Sequence, residues 1–274
     1  MLKYAEKEIT INGIKIHYYR TGGNKPPFLL LHGMSDNGLC WTPIAEVLSE
    51  KYDVIMPDAQ GHGLSDRLDK NFTFQSHADQ VIGLIKQLEL KKPLIMGHSM
   101  GAGTIVQIAV NQPTLPRAII LEDPAWMPSP LTSKNEDEVK KQSEGFVQYF
   151  SELSRKTLPE IIAECRAFNP SWQEAEIKPW AESKLQFDLS LFSVMTMDPN
   201  LYKEYVPRIK CPALLIIAEN GIVSREVAEN AAKLWKSKKP FRWVQIKGAT
   251  HNIRRDNFPA FRDAIFNFLE SLPA

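Results

Sequence analysis

Short runs of apolar residues alternate along this chain with longer stretches in which apolar positions recur every three or four residues. Glu8–Ile11 and Ile14–Tyr19 flank Asn12-Gly13, a two-residue turn signal, and predict a hairpin. Pro27–His32 (PFLLLH), Pro93–Gly97, Arg117–Leu121 and Pro212–Ala218 are apolar without interruption, as expected of strands buried on both faces. Asp53–Pro57 and Phe241–Ile246 read as two further strands, which brings the predicted sheet to eight. Helical spacing occupies Trp41–Glu50, Gln75–Leu90, Gly101–Asn111, Ser224–Lys236 and Asn257–Leu269. In Gln75–Leu90, for example, Val81, Ile82, Leu84, Ile85 and Leu88 share one stripe. Strands that alternate with helices predict an α/β fold whose mostly parallel sheet is covered on both faces.

The strand signal stops between Trp126 and Tyr205. That stretch is charge-rich and helical in pattern, with Pro128, Pro130, Pro159, Pro170, Pro179 and Pro199 as breaks. It reads as a helical cap, 126–205, inserted into an α/β core made of 1–125 and 206–274. The flanking strands fit one sheet, which argues against a second independent domain.

Composition then removes several functions. Thirty-three Lys and Arg against 32 Asp and Glu leave a formal charge of +1, too little excess cation for nucleic acid to be expected as a partner. No run of about 18 apolar residues predicts a membrane span. Met1–Thr10 carries Glu6, Lys7 and Glu8 where a secretory signal is apolar. Cys40, Cys165 and Cys211 are odd in number and far apart, so buried thiols in a reduced, cytoplasmic protein are expected. No glycine-rich phosphate loop and no metal-ligand spacing occurs, so neither cofactor nor metal is expected. The expected partner is a small-molecule substrate, and the chain a monomer or homodimer.

Directly after the strand Pro93–Met96 comes Gly97-His98-Ser99-Met100-Gly101, a G-x-S-x-G string, and a helix follows at once. A sharp strand-to-helix turn of this kind pushes a serine Oγ into the open, while the helix N-terminus beneath favours developing negative charge. The bare string is common, but its setting makes Ser99 the candidate nucleophile. Three other motifs accompany it: His32-Gly33-Met34 after an early strand, Asp58-x-x-Gly61-His62-Gly63-x-Ser65, and Gly248-Ala249-Thr250-His251 near the end.

In order and spacing these four motifs resemble the α/β-hydrolase family with a helical cap, and the resemblance covers essentially the whole chain. It implies that His251 is the general base and that the backbone N–H groups of Met34 and Met100 form the oxyanion hole. It also implies that His32 shapes the oxyanion loop and that His62 is structural. His98 is expected to pack or hydrogen-bond locally, and His17 and His77 to lie on a strand surface and a helix surface.

The third member of the triad departs from the pattern. Most relatives carry an aspartate after the strand represented here by Pro212–Ala218, but Gly221 stands at that position. Asp123, in Leu121-Glu122-Asp123-Pro124 after the strand that follows the nucleophile helix, is one candidate acid. Subfamilies such as the haloalkane dehalogenases and zearalenone-type lactonases similarly place theirs there. Glu219 is the other candidate, its longer side chain replacing the missing aspartate. Glu122, or no acid at all, remains a third outcome.

The cap is aromatic, with Trp126, Phe146, Tyr149, Phe150, Phe168, Trp172, Trp180, Phe187 and Phe192, together with Met195 and Met197. Most are expected to form the cap's own core and seam, with Trp126 and Met127 the best candidates to touch substrate. The resulting expectation is a serine hydrolase cleaving a small, largely uncharged carboxylic ester or lactone through an acyl-enzyme. Dehalogenase and epoxide hydrolase chemistry is disfavoured, because those relatives have an aspartate in place of Ser99. Carbon–carbon hydrolysis, perhydrolysis or a receptor-like role with little turnover are the alternatives that the same constellation allows.

Overall fold

The computed structural model describes residues 4–126, 136–194 and 201–273; Met127, Met195 and Met197 lie outside them. The eight strands are β1 (Ala5–Ile11), β2 (Ile14–Arg20), β3 (Pro27–Leu31), β4 (Asp53–Pro57), β5 (Leu94–His98), β6 (Ala118–Glu122), β7 (Ala213–Asn220) and β8 (Phe241–Thr250). They form one sheet in the order β1-β2-β4-β3-β5-β6-β7-β8. β2 runs antiparallel to β1 and β4, and every other pairing is parallel. This is the α/β architecture that the alternating pattern predicts.

The helices of the core are α1 (Thr42–Leu48), α2 (Phe74–Gln87) and α3 (Met100–Asn111), which precede the cap in the chain. Within the cap lie α4 (Glu136–Leu153), α5 (Leu158–Phe168), α6 (Glu174–Gln186), α7 (Leu191–Val194) and α8 (Leu201–Tyr205), between β6 and β7. α9 (Arg225–Leu234), α10 (Ile253–Asp256) and α11 (Phe258–Glu270) complete the core.

Residues alternate between the faces of a strand, and this period of two sorts the core into two layers. Leu29, Ile55, Ile95, Ile119 and Leu215 pack with Ile82 and Ile85 of α2, Ile105 and Ile108 of α3, and Val227 of α9. Phe28, Leu30, Val54, Met96, Ile120 and Ile216 face the other way, onto Ile44 and Leu48 of α1 and Phe261, Ile265 and Phe268 of α11. Both faces are therefore covered, as uninterrupted apolar strands require. A third apolar cluster belongs to the cap. Phe150, Ile161, Ala181, Phe187, Leu191 and Phe192 meet there with Phe72 and Met100 of the core.

Three local expectations need correction. β8 runs four residues beyond Ile246, to Thr250, because β7 and β8 pair across a register shift at Ala218/Asn220 that the sequence pattern cannot reveal. His17 is buried, not a surface residue: Asp58 Oδ2 lies 2.9 Å from its Nδ1. His77 is buried too, with Nε2 3.2 Å from the carbonyl of Gln60. In both places polar partners, Asp58 and Glu6 for His17 and the Gln60 carbonyl for His77, make burial of an imidazole tolerable. The three cysteines are free and buried. Among the described residues no helix is long and apolar enough to cross a membrane.

Candidate active site

The sheet delivers the motif residues to one edge. His32 follows β3, Ser99 follows β5, Asp123 follows β6 and His251 follows β8, all at the carboxyl ends of parallel strands, where α/β sheets open a crevice. Ser99 joins β5 to α3 with φ 51° and ψ −111°, a left-handed backbone that an L-residue adopts only under constraint. The constraint is close approach. A Cβ on Gly101 would overlap the carbonyl oxygen of Leu31, and one on Gly97 would come 2.7 Å from the Gly101 carbonyl carbon. Both positions must be glycine for helix and strand to meet this tightly.

His251 is one-third exposed, whereas Asp123 beside it is fully buried. The two are joined by a 2.7 Å contact between His251 Nδ1 and Asp123 Oδ2. A carboxylate only accepts, so Nδ1 carries the proton and Nε2 is left with its lone pair. Asp123 is itself held from the neighbouring turn: the Ile222 amide donates to Oδ2 at 2.9 Å and the Val223 amide to Oδ1 at 3.1 Å. Its own amide donates to the carbonyl of Ile216 at 2.8 Å, which fixes a residue whose φ is 39°. Glu219 points elsewhere. It is exposed, and its Oε2 accepts from the Gly248 amide at 2.8 Å.

His98, immediately before the serine, ties the serine turn to His251. Its Nε2 donates to the His251 carbonyl at 2.8 Å, and the two rings stand 4.5 Å apart. Burial, together with neighbouring His251 and Arg254, holds the His98 imidazole well below its ordinary pKa. It is accordingly the neutral form that donates from Nε2 and leaves Nδ1 unprotonated. His32 braces the loop on the other side: its Nδ1 donates to the Gly33 carbonyl at 2.8 Å, and its Nε2 accepts from the Ala59 amide at 3.0 Å. Asp58 anchors the adjoining turn by accepting from the amides of Gly38 and Leu64.

The Met34 amide sits in the turn closed by the Asp36 amide donating to the Gly33 carbonyl, and the Met100 amide is the first of α3. Among the described residues neither amide is used in a hydrogen bond. The side chains of both methionines join the apolar cap cluster. Trp126 is also buried, but it packs in the main core layer, stacked on Tyr202 at 6.1 Å. Among the described residues no group of His, Cys, Asp and Glu side chains is arranged to hold a metal.

Six ionisable side chains, each at most 4% exposed, interlock behind the site: Asp36, Glu122, Glu176, Lys184, Arg254 and Arg255. The only hints in the sequence are a glutamate ending an apolar strand and two adjacent arginines just past His251.

Fold and site together combine a strained serine turn with a buried carboxylate paired to an imidazole. A family profile described as alpha/beta hydrolase fold matches residues 26–254, and the chain belongs to that family. The N-formylmaleamate deformylase of Pseudomonas putida is 25% identical over 274 residues, covering 97% of each chain. The match to an uncharacterised protein of Mycobacterium tuberculosis is 33% identical over 112 residues, 41% of this chain and only 33% of that protein. The crystal structure of an E-2-(acetamidomethylene)succinate hydrolase superposes with a TM-score of 0.76 at 21% identity, covering 98% of this chain and 100% of that one.

Proposed function

We propose that this protein is a serine hydrolase that opens a small, largely uncharged carboxylic ester or lactone through an acyl-enzyme on Ser99. The observation that carries this reading is the 2.7 Å pairing of His251 Nδ1 with the buried Asp123, which leaves Nε2 as a base beside a strained serine turn. In this reading Nε2 takes the Ser99 Oγ proton as Oγ attacks the carbonyl carbon, and Asp123 stabilises the imidazolium. The free amides of Met34 and Met100 receive the charge that develops on the carbonyl oxygen. The imidazolium then protonates the departing alkoxide. Water, deprotonated by the same Nε2, attacks the acyl-enzyme and releases the acid with Ser99 restored.

Phe150, Phe187 and Phe192 gather around the methionines that would carry the oxyanion donors, which supports an apolar acyl group. The nearby cations Lys184, Arg254 and Arg255 are each paired with a carboxylate, in keeping with an uncharged substrate. The test is a panel of p-nitrophenyl acetate, p-nitrophenyl butyrate, aliphatic lactones and N-formyl and N-acetyl amides, with Ser99→Ala as control. The amides are included because two similar proteins carry names of N-acyl amide hydrolases. Steady, Ser99-dependent turnover of an ester or lactone is expected. Turnover of amides alone would overturn the ester assignment, and a burst of labelling without turnover would favour a receptor-like role.

A further inference from the structure

Each side chain of the buried ionic cluster comes from a segment that also carries part of the proposed machinery, or from the cap. Asp36 lies two residues after Met34. Lys184 Nζ, from cap helix α6, donates to Ser35 carbonyl oxygen at 2.8 Å and Ser35 Oγ at 3.0 Å, and pairs with Asp36 Oδ1 at 3.3 Å. Asp36 Oδ2 accepts from Arg254 Nη2 and Arg255 Nη2, both at 2.9 Å. These arginines stand three and four residues past His251. Arg254 also binds Glu122, which immediately precedes Asp123, through its backbone amide at 2.9 Å and Nη1 at 3.3 Å. Arg255 Nε donates to Glu176, at the other end of α6, at 2.5 Å. Three acids meet three bases, so the formal charge of the cluster is zero. Trp41 stacks on Arg254 at 4.3 Å, Trp172 on Arg255 at 4.8 Å and Trp180 on Lys184 at 4.7 Å, closing the cluster to water.

Fully buried charges are costly to assemble and are often replaceable by apolar residues without loss of stability, so stability alone is a weak reason for six of them. What such a cluster does supply is directional, short-range fixation of segments that are far apart in sequence. We propose that this cluster is a positioning device that sets the oxyanion turn, the acid and the base against one another and locks the cap onto that arrangement, with Lys184 the residue through which the cap acts on the Met34 amide. Lys184 grips the outer half of the Gly33–Asp36 turn, whose amide at Met34 must sit within a few tenths of an ångström of its productive place. Loss of the grip leaves substrate entry intact, and the misplaced donor is felt only when charge develops on the carbonyl oxygen. The inference rests on the proposed function, since it assigns the same site a control element.

The experiment uses a fluorophosphonate probe, which phosphonylates an activated serine without need of the natural substrate, alongside ester kinetics and Tm. Lys184→Met removes one cation and leaves Asp36 with both guanidinium groups. Asp53→Asn is the matched control: it breaks the Arg20–Asp53 pair (2.6 Å) at the opposite, amino-terminal end of β4. Lys184→Met is expected to slow phosphonylation and kcat about tenfold with KM within twofold of wild type, and Lys184→Arg to restore part of the loss. Asp53→Asn is expected to lower Tm and leave both rates unchanged. If Lys184→Met fails to fold, Ser35→Ala, which removes one acceptor of the Nζ, is expected to give a loss of about threefold in kcat at constant KM. Wild-type phosphonylation in the folded Lys184 variant, or rates that follow Tm in both variants, overturns the positioning role alone. A wild-type protein that never reacts with the probe overturns the proposed hydrolase and this inference with it.

Discussion

Gly221 leaves vacant the space that the Asp123 carboxylate fills: a Cβ at residue 221 would stand 2.5 Å from Asp123 Oδ2 and 2.8 Å from Oδ1. The missing aspartate after β7 and the carboxylate after β6 are thus one feature. The turn at 221–223 has given up a side chain and contributes the Ile222 and Val223 amides as donors to an acid that arrives from the neighbouring strand. Gly221→Ala is therefore expected to displace Asp123 and lower kcat at least tenfold, with the fold retained by circular dichroism. An alanine variant with wild-type kcat would show that the carboxylate has room the structure does not indicate.

The two candidate acids separate by substitution. Asp123→Asn keeps the shape but forces the wrong imidazole tautomer, and is expected to lose kcat by about 10⁴. Glu219→Gln removes only an exposed charge and keeps an oxygen that can accept from the Gly248 amide, so its kcat is expected to stay within about twofold, as for most exposed contacts. Comparable losses in both variants would mean that the carboxylates share the role.

Stability is expected to fall in mild acid. Burial lowers the pKa of His32, His62, His77 and His98 below 6.5, and that of His77 to about 4. Below pH 6.5 the unfolded chain binds protons that these buried rings refuse, so their contribution is present above 6.5 and drains away as pH falls toward the folded value. For His77 the loss is about 3 kcal/mol between pH 6.5 and 4. His17 works in the opposite sense: burial alone would lower it, but the partner Asp58, aided by Glu6, raises its pKa. Urea unfolding at pH 7 and pH 4.5 should show the drop, and His77→Gln should shrink it. An unchanged difference in that variant would remove His77 from the account.

The cap is expected to depend on Phe187. Its ring lies 5.1 Å from Phe150, 5.5 Å from Phe192 and 4.9 Å from the core residue His62, so it seals cap to core. Phe187→Ala should cost about 3–5 kcal/mol in unfolding free energy, the usual range for truncating a buried aromatic ring. Because the same cluster contains Met34 and Met100, kcat/KM should fall as well. A loss below about 1 kcal/mol would mean the seam closes over the cavity.

Periodicity along the chain was enough to find the eight strands and the flanking helices, because burial on both faces imposes uninterrupted apolar runs. It also exposed the serine turn, since Gly97 and Gly101 flank Ser99 for a local steric reason. The sequence left open whether Asp123 or Glu219 lies beside His251, and it misplaced His17 and His77. It gave only faint hints of the cluster formed by Asp36, Glu122, Glu176, Lys184, Arg254 and Arg255: a glutamate ending an apolar strand and two adjacent arginines. The common reason is physical. Local geometry follows from side chains three or four positions apart, and such spacings are written in the sequence. Which charged or polar groups meet depends on segments more than 100 residues apart being brought within 3 Å, as Asp36 and Arg254 are, and only the folded sheet and its cap decide that.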